Sequence, residues 1–293
     1  MKIIDGKETA QQIKNEIADE VAAMLNSREQ GPHLVAVLVG EDPASQTYVR
    51  NKEKACAQVG IISSVYKYPE SISEKELLEV VDFINNDDEI DGLIVQLPLP
   101  KHISEKKIIE KINPAKDVDG FHPLNVGRMA LNLPTYLPAT PYGILQLIER
   151  YNIETEGKSC VVLGRSHIVG SPISILLSRK AYPGNCTVTV CHSRTKNLKQ
   201  IAKSADILIV AMGQPQFVTE DMVKKDAVVI DVGIHRVPSD KTKSGFRLVG
   251  DVLFDEVSKK AGYITPVPGG VGPMTIVSLL MNTLKAAKKE IYF

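Results

Sequence analysis

Two series of short apolar runs, each run separated from the next by a stretch of helical character, most constrain what this chain can fold into. The first series is HLVAVLVG (33–40), ISSVYKY (62–68) and GLIVQLPLP (92–100). The second is SCVVLG (159–164), VTVCH (188–192), DILIVAMG (206–213) and AVVIDVG (227–233). Short apolar runs bounded by turn residues read as buried strands, and Pro98 and Pro100, lacking an N–H to donate, stop the third one. Between the runs, residues 7–27 carry Ile13, Ile17, Val21, Ala22 and Met24 at helical spacing. Residues 73–87 do the same with Leu77, Leu78, Val81 and Ile84, and Ser104 caps a short helix over 104–112. Thr140-Pro141 opens a helix over PYGILQLIERY, and 275–290 is helical with apolar residues at 276, 279, 280 and 284. Strands alternating with helices predict βαβ units, a parallel sheet and an α/β fold.

At 293 residues the chain has length for two domains. The section 113–141 is rich in Pro, Gly and Asn and weakly periodic, and reads as a functional loop running into a domain boundary. Residues 237–248 read as a surface excursion, and YITPVPGGVGPMT (263–275) as a short strand followed by a Gly/Pro loop. Lys plus Arg and Asp plus Glu both number 35, so no overall field attracts nucleic acid or an anionic membrane. No run reaches the roughly 18 apolar residues of a membrane span, and MKIIDGKETAQQ has no signal-peptide core, so a cytoplasmic protein is expected. Cys56, Cys160, Cys186 and Cys191 show no C-x-x-C spacing and are expected as free thiols, and the six histidines make no ligand pair, so no metal is expected.

The stretch SQTYVRNKEKA (45–55) is the first candidate for chemistry. Asp42 and Pro43 suit a helix start, and Ala44, Thr47, Ala55 and Val59 suit continuation to Gly60. Tyr48 and Lys52, four apart, then share one helix face just after a buried strand, at the end of an α/β layer where ligands bind. A desolvated amine there can serve as a base. Taken alone, the stretch fits an exposed Tyr/Lys pair covering the helix better than a site, and the rest of the chain reverses that weighting. Gln96 ends the third strand, where an amide either pairs with a neighbour or faces a ligand. Asp117 and Asp119 sit in a turn closed by Gly120, and turn chemistry alone accounts for such residues.

Strand 159–164 runs into Gly164-Arg165-Ser166-His167-Ile168-Val169-Gly170 and a helix from Pro172. That is where a dinucleotide-binding half seats a pyrophosphate, although the spacing is not G-x-G-x-x-G and a purely structural turn fits as well. The next strand ends in Cys191-His192-Ser193-Arg194-Thr195, with no carboxylate for a ribose. Ser193, Arg194 and Arg165 suit a 2′-phosphate instead, which favours NADP over NAD. Gly157-Lys158-Ser159 precedes a strand rather than following one and is discounted as a phosphate loop.

In these residues the chain resembles the bifunctional methylenetetrahydrofolate dehydrogenase/methenyltetrahydrofolate cyclohydrolase family. The resemblance runs end to end, on TYVRNKEKACAQVGI, DGLIVQLPLP, NPAKDVDGFHP, GRSHIVGSP and PVPGGVGPMT in the family's order. It implies two domains with a cleft between them: an N-terminal α/β domain, 1–139 plus 273–293, with a parallel sheet holding folate, and a Rossmann-like NADP-binding domain, 140–272. It implies Lys52 as the central catalytic residue, with Tyr48 near the pterin, Gln96 in support and Asp119 hydrogen-bonded to the pterin ring. Gly164, Arg165, Ser166, Ser193 and Ile234 align with NADP contacts. Pro268, Gly272 and Thr275 align with a loop over both ligands, the first two on the substrate side and Thr275 on the cofactor side. The implied partners are one-carbon derivatives of tetrahydrofolate and a second copy of the chain, in a homodimer.

The implied chemistry is hydride transfer from 5,10-methylenetetrahydrofolate to NADP, then hydration of the methenyl product to 10-formyltetrahydrofolate. A short-chain dehydrogenase also uses Tyr-x-x-x-Lys, but there the nucleotide loop precedes the pair, whereas here it follows. Another NAD(P)-dependent dehydrogenase without cyclohydrolase activity, or a catalytically silent folate-binding protein, are the remaining readings.

Overall fold

The computed structural model describes residues 1–27, 30–240, 242 and 245–292. In chain order it runs β1 (Lys2–Ile3), α1 (Gly6–Ser27), β2 (His33–Val39), α2 (Pro43–Val59), β3 (Ile62–Tyr68), α3 (Glu74–Asn85), β4 (Gly92–Val95), α4 (Glu105–Lys111), α5 (Pro123–Ala130) and α6 (Ala139–Arg150). It continues through β5 (Ser159–Leu163), α7 (Gly170–Ser178), β6 (Thr187–Cys191), α8 (Leu198–Lys203), β7 (Ile207–Val210), β8 (Val228–Asp231), β9 (His235–Pro238), β10 (Phe246–Val249), α9 (Phe254–Val257), β11 (Tyr263–Ile264) and α10 (Val271–Ala287). The chain divides into two compact units, residues 11–139 with 276–293 and residues 1–10 with 140–275.

The unit built on 11–139 holds a parallel sheet in the order β3-β2-β4. All of β2 after His33 is buried, which is why its sequence is an unbroken apolar run rather than an alternating one. Leu77, Val81 and Ile84 of α3 and Ile108 of α4 are fully buried in one core with Val35, Val37 and Leu93. The expected starts and stops of α2 are present: Asp42 accepts from the Ser45 amide, Pro43 occupies the first turn, and Gly60 ends the helix at φ 78°. On α3, Ser73 and Glu76 form a capping box.

The other unit holds a six-stranded sheet in the order β1-β11-β8-β7-β5-β6, parallel throughout. β5 has β6 on one side and β7 on the other, so the strand order reverses there. This is the topological switch point of a doubly wound fold, and the α/β expectation with a Rossmann-like second domain holds.

Four sequence-level expectations need correction. The section 113–141 is not loop throughout: α5 forms within it, opened by Pro123 and by His122, whose Nδ1 accepts from the Leu124 amide, and anchored by buried Asn125 and Met129. The third strand ends at Val95, short of Pro98. α7 starts at Gly170 rather than Pro172, and α10 at Val271, so half of the expected Gly/Pro loop is helix. β1, two residues long, gave no periodic signal. Of the 237–248 excursion, residues 241, 243 and 244 lie outside the described residues, and β9 and β10 form an antiparallel hairpin around them.

Candidate active site

In the 11–139 unit, three of the predicted side chains converge at the switch point between β2 and β4. α2 follows β2 and carries Lys52 on its third turn, while Gln96 is the first residue after β4. Lys52 Nζ donates to Gln96 Oε1 at 3.3 Å, and Gln96 Nε2 donates to the Leu97 carbonyl at 2.7 Å, which fixes which end of the amide faces the amine. Residue 117 pairs in parallel with Leu93 of β4, which brings the 117–120 turn alongside the same strand. Burial raises the Asp119 carboxyl above the ordinary carboxylate range, and the positive charge of Lys52 pulls it partly back. Tyr48, one turn before Lys52, is 46% exposed and presents an open ring. An amine, an amide, a desolvated carboxylate and a free aromatic face together suit a flat, polar, heterocyclic ligand that changes charge.

In the other unit, a cavity of about 280 Å³ lies at the C-terminal ends of β5, β6 and β7. Gly164, Arg165 and Ser166 line it after β5, His192 and Ser193 after β6, and Met212 and Gln214 after β7. Gly164 has φ 125°, and a Cβ there would lie 2.2 Å from the Ala211 carbonyl oxygen. Ser166 Oγ accepts from the amides of Val169 and Gly170, closing the entry to α7. No carboxylate lines this cavity, which fits a phosphate-bearing dinucleotide. Arg194 is exposed and outside the lining, with its amide on His192 Nδ1. Ile234 is exposed, and a Cβ on Gly272 would lie 3.7 Å from its Cδ1. Thr275 pairs its hydroxyl with that of Thr140 at 3.0 Å, and Pro268 follows a cis peptide bond.

Sequence reasoning missed the buried acids that shape this rim. Asp231, at the end of β8, accepts from the amides of Gly233, Asp251 and Val252, and burial pushes its carboxyl up to about 6. Asp251 accepts from the amides of Met212 and Gly213 and pairs with His235 Nε2 at 2.7 Å. An acid ending an otherwise apolar strand, as in AVVIDVG, was the available signal. Asp117, treated as turn chemistry, is 2% exposed and raised to about 7 by burial. Cys56, Cys160, Cys186 and Cys191 are all free and buried, as expected.

The family model described as tetrahydrofolate dehydrogenase/cyclohydrolase, catalytic domain, matches residues 4–119, and its NAD(P)-binding domain counterpart matches 138–291. The chain is 64% identical over 287 residues to the bifunctional protein FolD of Cytophaga hutchinsonii, covering 98% of this chain and 99% of that one. It is 61% identical over 292 residues to the bifunctional protein FolD of Bacteroides thetaiotaomicron, covering all of both. Among solved structures, the bifunctional FolD methylenetetrahydrofolate dehydrogenase/cyclohydrolase of Campylobacter jejuni superimposes with TM-score 0.93 at 48% identity, over 99% of each chain. The Trypanosoma brucei enzyme, complexed with NADP cofactor and inhibitor, gives TM-score 0.93 at 38% identity, over 99% of this chain and 98% of that one.

The crowding at Gly164 makes a prediction. Gly164→Ala forces a Cβ against backbone at a left-handed φ, so it should cost about 1–3 kcal/mol in urea denaturation. A native denaturation midpoint would show that the turn tolerates a side chain.

Proposed function

Because the chain belongs to the tetrahydrofolate dehydrogenase/cyclohydrolase family, we propose that it is a bifunctional one-carbon folate enzyme. It oxidises 5,10-methylenetetrahydrofolate to 5,10-methenyltetrahydrofolate with NADP, then hydrolyses that cation to 10-formyltetrahydrofolate. The observation that carries this reading is the meeting of Lys52, Gln96 and Asp119 at one strand end. A dehydrogenase without cyclohydrolase activity, or a silent folate-binding protein, has no chemical use for an amine held by an amide beside that half-buried carboxylate.

The assignment of residues follows the chemistry. Residues 1–139 with 273–293 hold the folate and 140–272 the dinucleotide, an assignment by ligand that need not follow the edges of the compact units at 1–10 and 273–275. Tyr48 stacks on the pterin and Asp119 accepts from its ring nitrogens. Gly164, Arg165, Ser166, Ser193, Ile234 and Thr275 bind NADP, with Arg194 reaching the 2′-phosphate, and Pro268 and Gly272 face the substrate. NADP, when bound, supplies the acceptor for the hydride. The protein's task in that step is to hold the one-carbon bridge in a near-attack geometry and exclude water.

Hydration needs more from the side chains. Lys52, held by Gln96, takes a proton from the water that adds to the methenyl carbon. As the resulting carbinol becomes a C=O, its hydroxyl gives up the second water proton to solvent, the C–N bond to the ring nitrogen breaks, and that nitrogen receives the proton held on the amine. One proton is released overall, balancing the lost positive charge of the substrate. Tyr48 tunes or relays that proton. A homodimer is supported by the family resemblance, a cytoplasmic setting by the free thiols, and the absence of a nucleic-acid partner by the balanced charge.

A coupled absorbance assay with methylenetetrahydrofolate and each nicotinamide tests the reading, since appearance and decay of the methenyl chromophore report the two steps separately. Lys52→Met should cut the hydrolytic step by about 100-fold or more and the hydride step far less. Native hydration in that variant removes Lys52 as the base. Arg194→Ala should raise the KM for NADP by about tenfold and leave the KM for NAD nearly unchanged, whereas equal effects on both would detach Arg194 from the 2′-phosphate.

A further inference from the structure

The turn that carries Asp119 is held by side chains with no part in the chemistry above. Asp117 accepts from the amides of His122 at 2.7 Å and Phe121 at 3.2 Å, closing the backbone loop around Asp119. Asn125 on α5, fully buried, donates Nδ2 to Asp117 Oδ2 at 2.8 Å and to the Pro114 carbonyl at 3.0 Å. Its Oδ1 accepts from the Thr135 hydroxyl at 2.8 Å and from the Tyr292 phenol at 2.6 Å. Two hydroxyl donors on that oxygen select one orientation of the amide, the one that offers N–H to the Asp117 carboxylate. A flipped amide would set oxygen against oxygen.

Two further groups fix the same segment. The Tyr292 ring sits 5.8 Å from that of Tyr136, with the Arg128 guanidinium 5.0 Å from its centroid. On α10, Asn282 Nδ2 donates to the carbonyls of Val118 at 2.8 Å and Leu137 at 2.9 Å. Gly120, at φ 73°, lets the turn lie against Leu137, where a Cβ would come within 2.6 Å of backbone. The strand of chain after the substrate-binding elements thus reaches back to Asp119 by two routes, one through Asn282 and one through Tyr292, Asn125 and Asp117.

We propose that Tyr292 and Asn282 are positioning residues for Asp119, setting the carboxylate that receives the pterin from the C-terminal segment of the chain. This rests on the reading of Asp119 as a folate-binding group. Tyr292→Phe keeps the ring and deletes only the donor. It should raise the KM for methylenetetrahydrofolate by about three- to tenfold and leave the KM for NADP and the thermal midpoint close to native. In an Asp119→Asn background the same change should add nothing, because the group being positioned is already impaired. A native folate KM in Tyr292→Phe, with Asp119→Asn still raising it, overturns the relay and leaves the folate reading standing. A native folate KM in Asp119→Asn overturns both. An equal rise in both KM values, or full multiplication of the two effects, marks general loosening and also overturns the relay. Should Tyr292→Phe fail to fold, Thr135→Val removes the second donor on Asn125 and should give the same folate-selective rise; a native folate KM there refutes the proposal.

Discussion

Parallel strand pairing is the constraint on which the rest of the molecule depends. When neighbouring strands run the same way, all their C-terminal ends emerge along one edge, and whatever follows them in sequence is gathered there. β2 is followed by the helix bearing Lys52, β4 by Gln96, and residue 117, paired with Leu93, by Asp119. Three residues far apart in sequence meet because of strand register. In the second unit the same rule gathers Gly164, Ser193 and Met212 around one cavity.

On that edge the electrostatics are set by what the backbone offers. Asp231 and Asp251 are buried close together, and both serve as acceptors because amides of the segments after β7, β8 and β10, with His235, are aimed at them. The glycines nearby are spatial requirements. A Cβ at Gly250 would overlap Asp231 Oδ2, and one at Gly233 would lie 2.5 Å from the Asp251 carboxyl. Asp119 differs: burial raises its carboxyl and the charge of Lys52 offsets that only in part.

Much of this was legible in the sequence. The continuous apolar runs declared a parallel sheet, and the Asp42–Pro43 start and Gly60 stop bounded α2 almost to the residue. Lys52 and Gln96 could be singled out because each follows a buried strand. What stayed hidden depends on tertiary partners. α5 is eight residues long, lies in a Pro-, Gly- and Asn-rich stretch, and has polar Asn125 at one of its two buried positions, so its helical spacing does not stand out in the sequence. β1 exists only because β11 pairs with it, and Asp117 read as an ordinary turn residue because its partners, Asn125 and the amides of 121 and 122, are specified by folding rather than by spacing.

The pairing of β1 with β11 also orders events during synthesis. Lys2 aligns with Tyr263 and Ile3 with Ile264, so β1 finds its neighbour only after everything between them has been made. The 11–139 unit likewise takes in residues 276–293. A nascent chain therefore carries an incomplete sheet and an incomplete core until residues beyond 263 have been added. A chain cut before residue 263 lacks both the β1 neighbour and the 276–293 share of the 11–139 unit, so one truncation leaves both units unfinished.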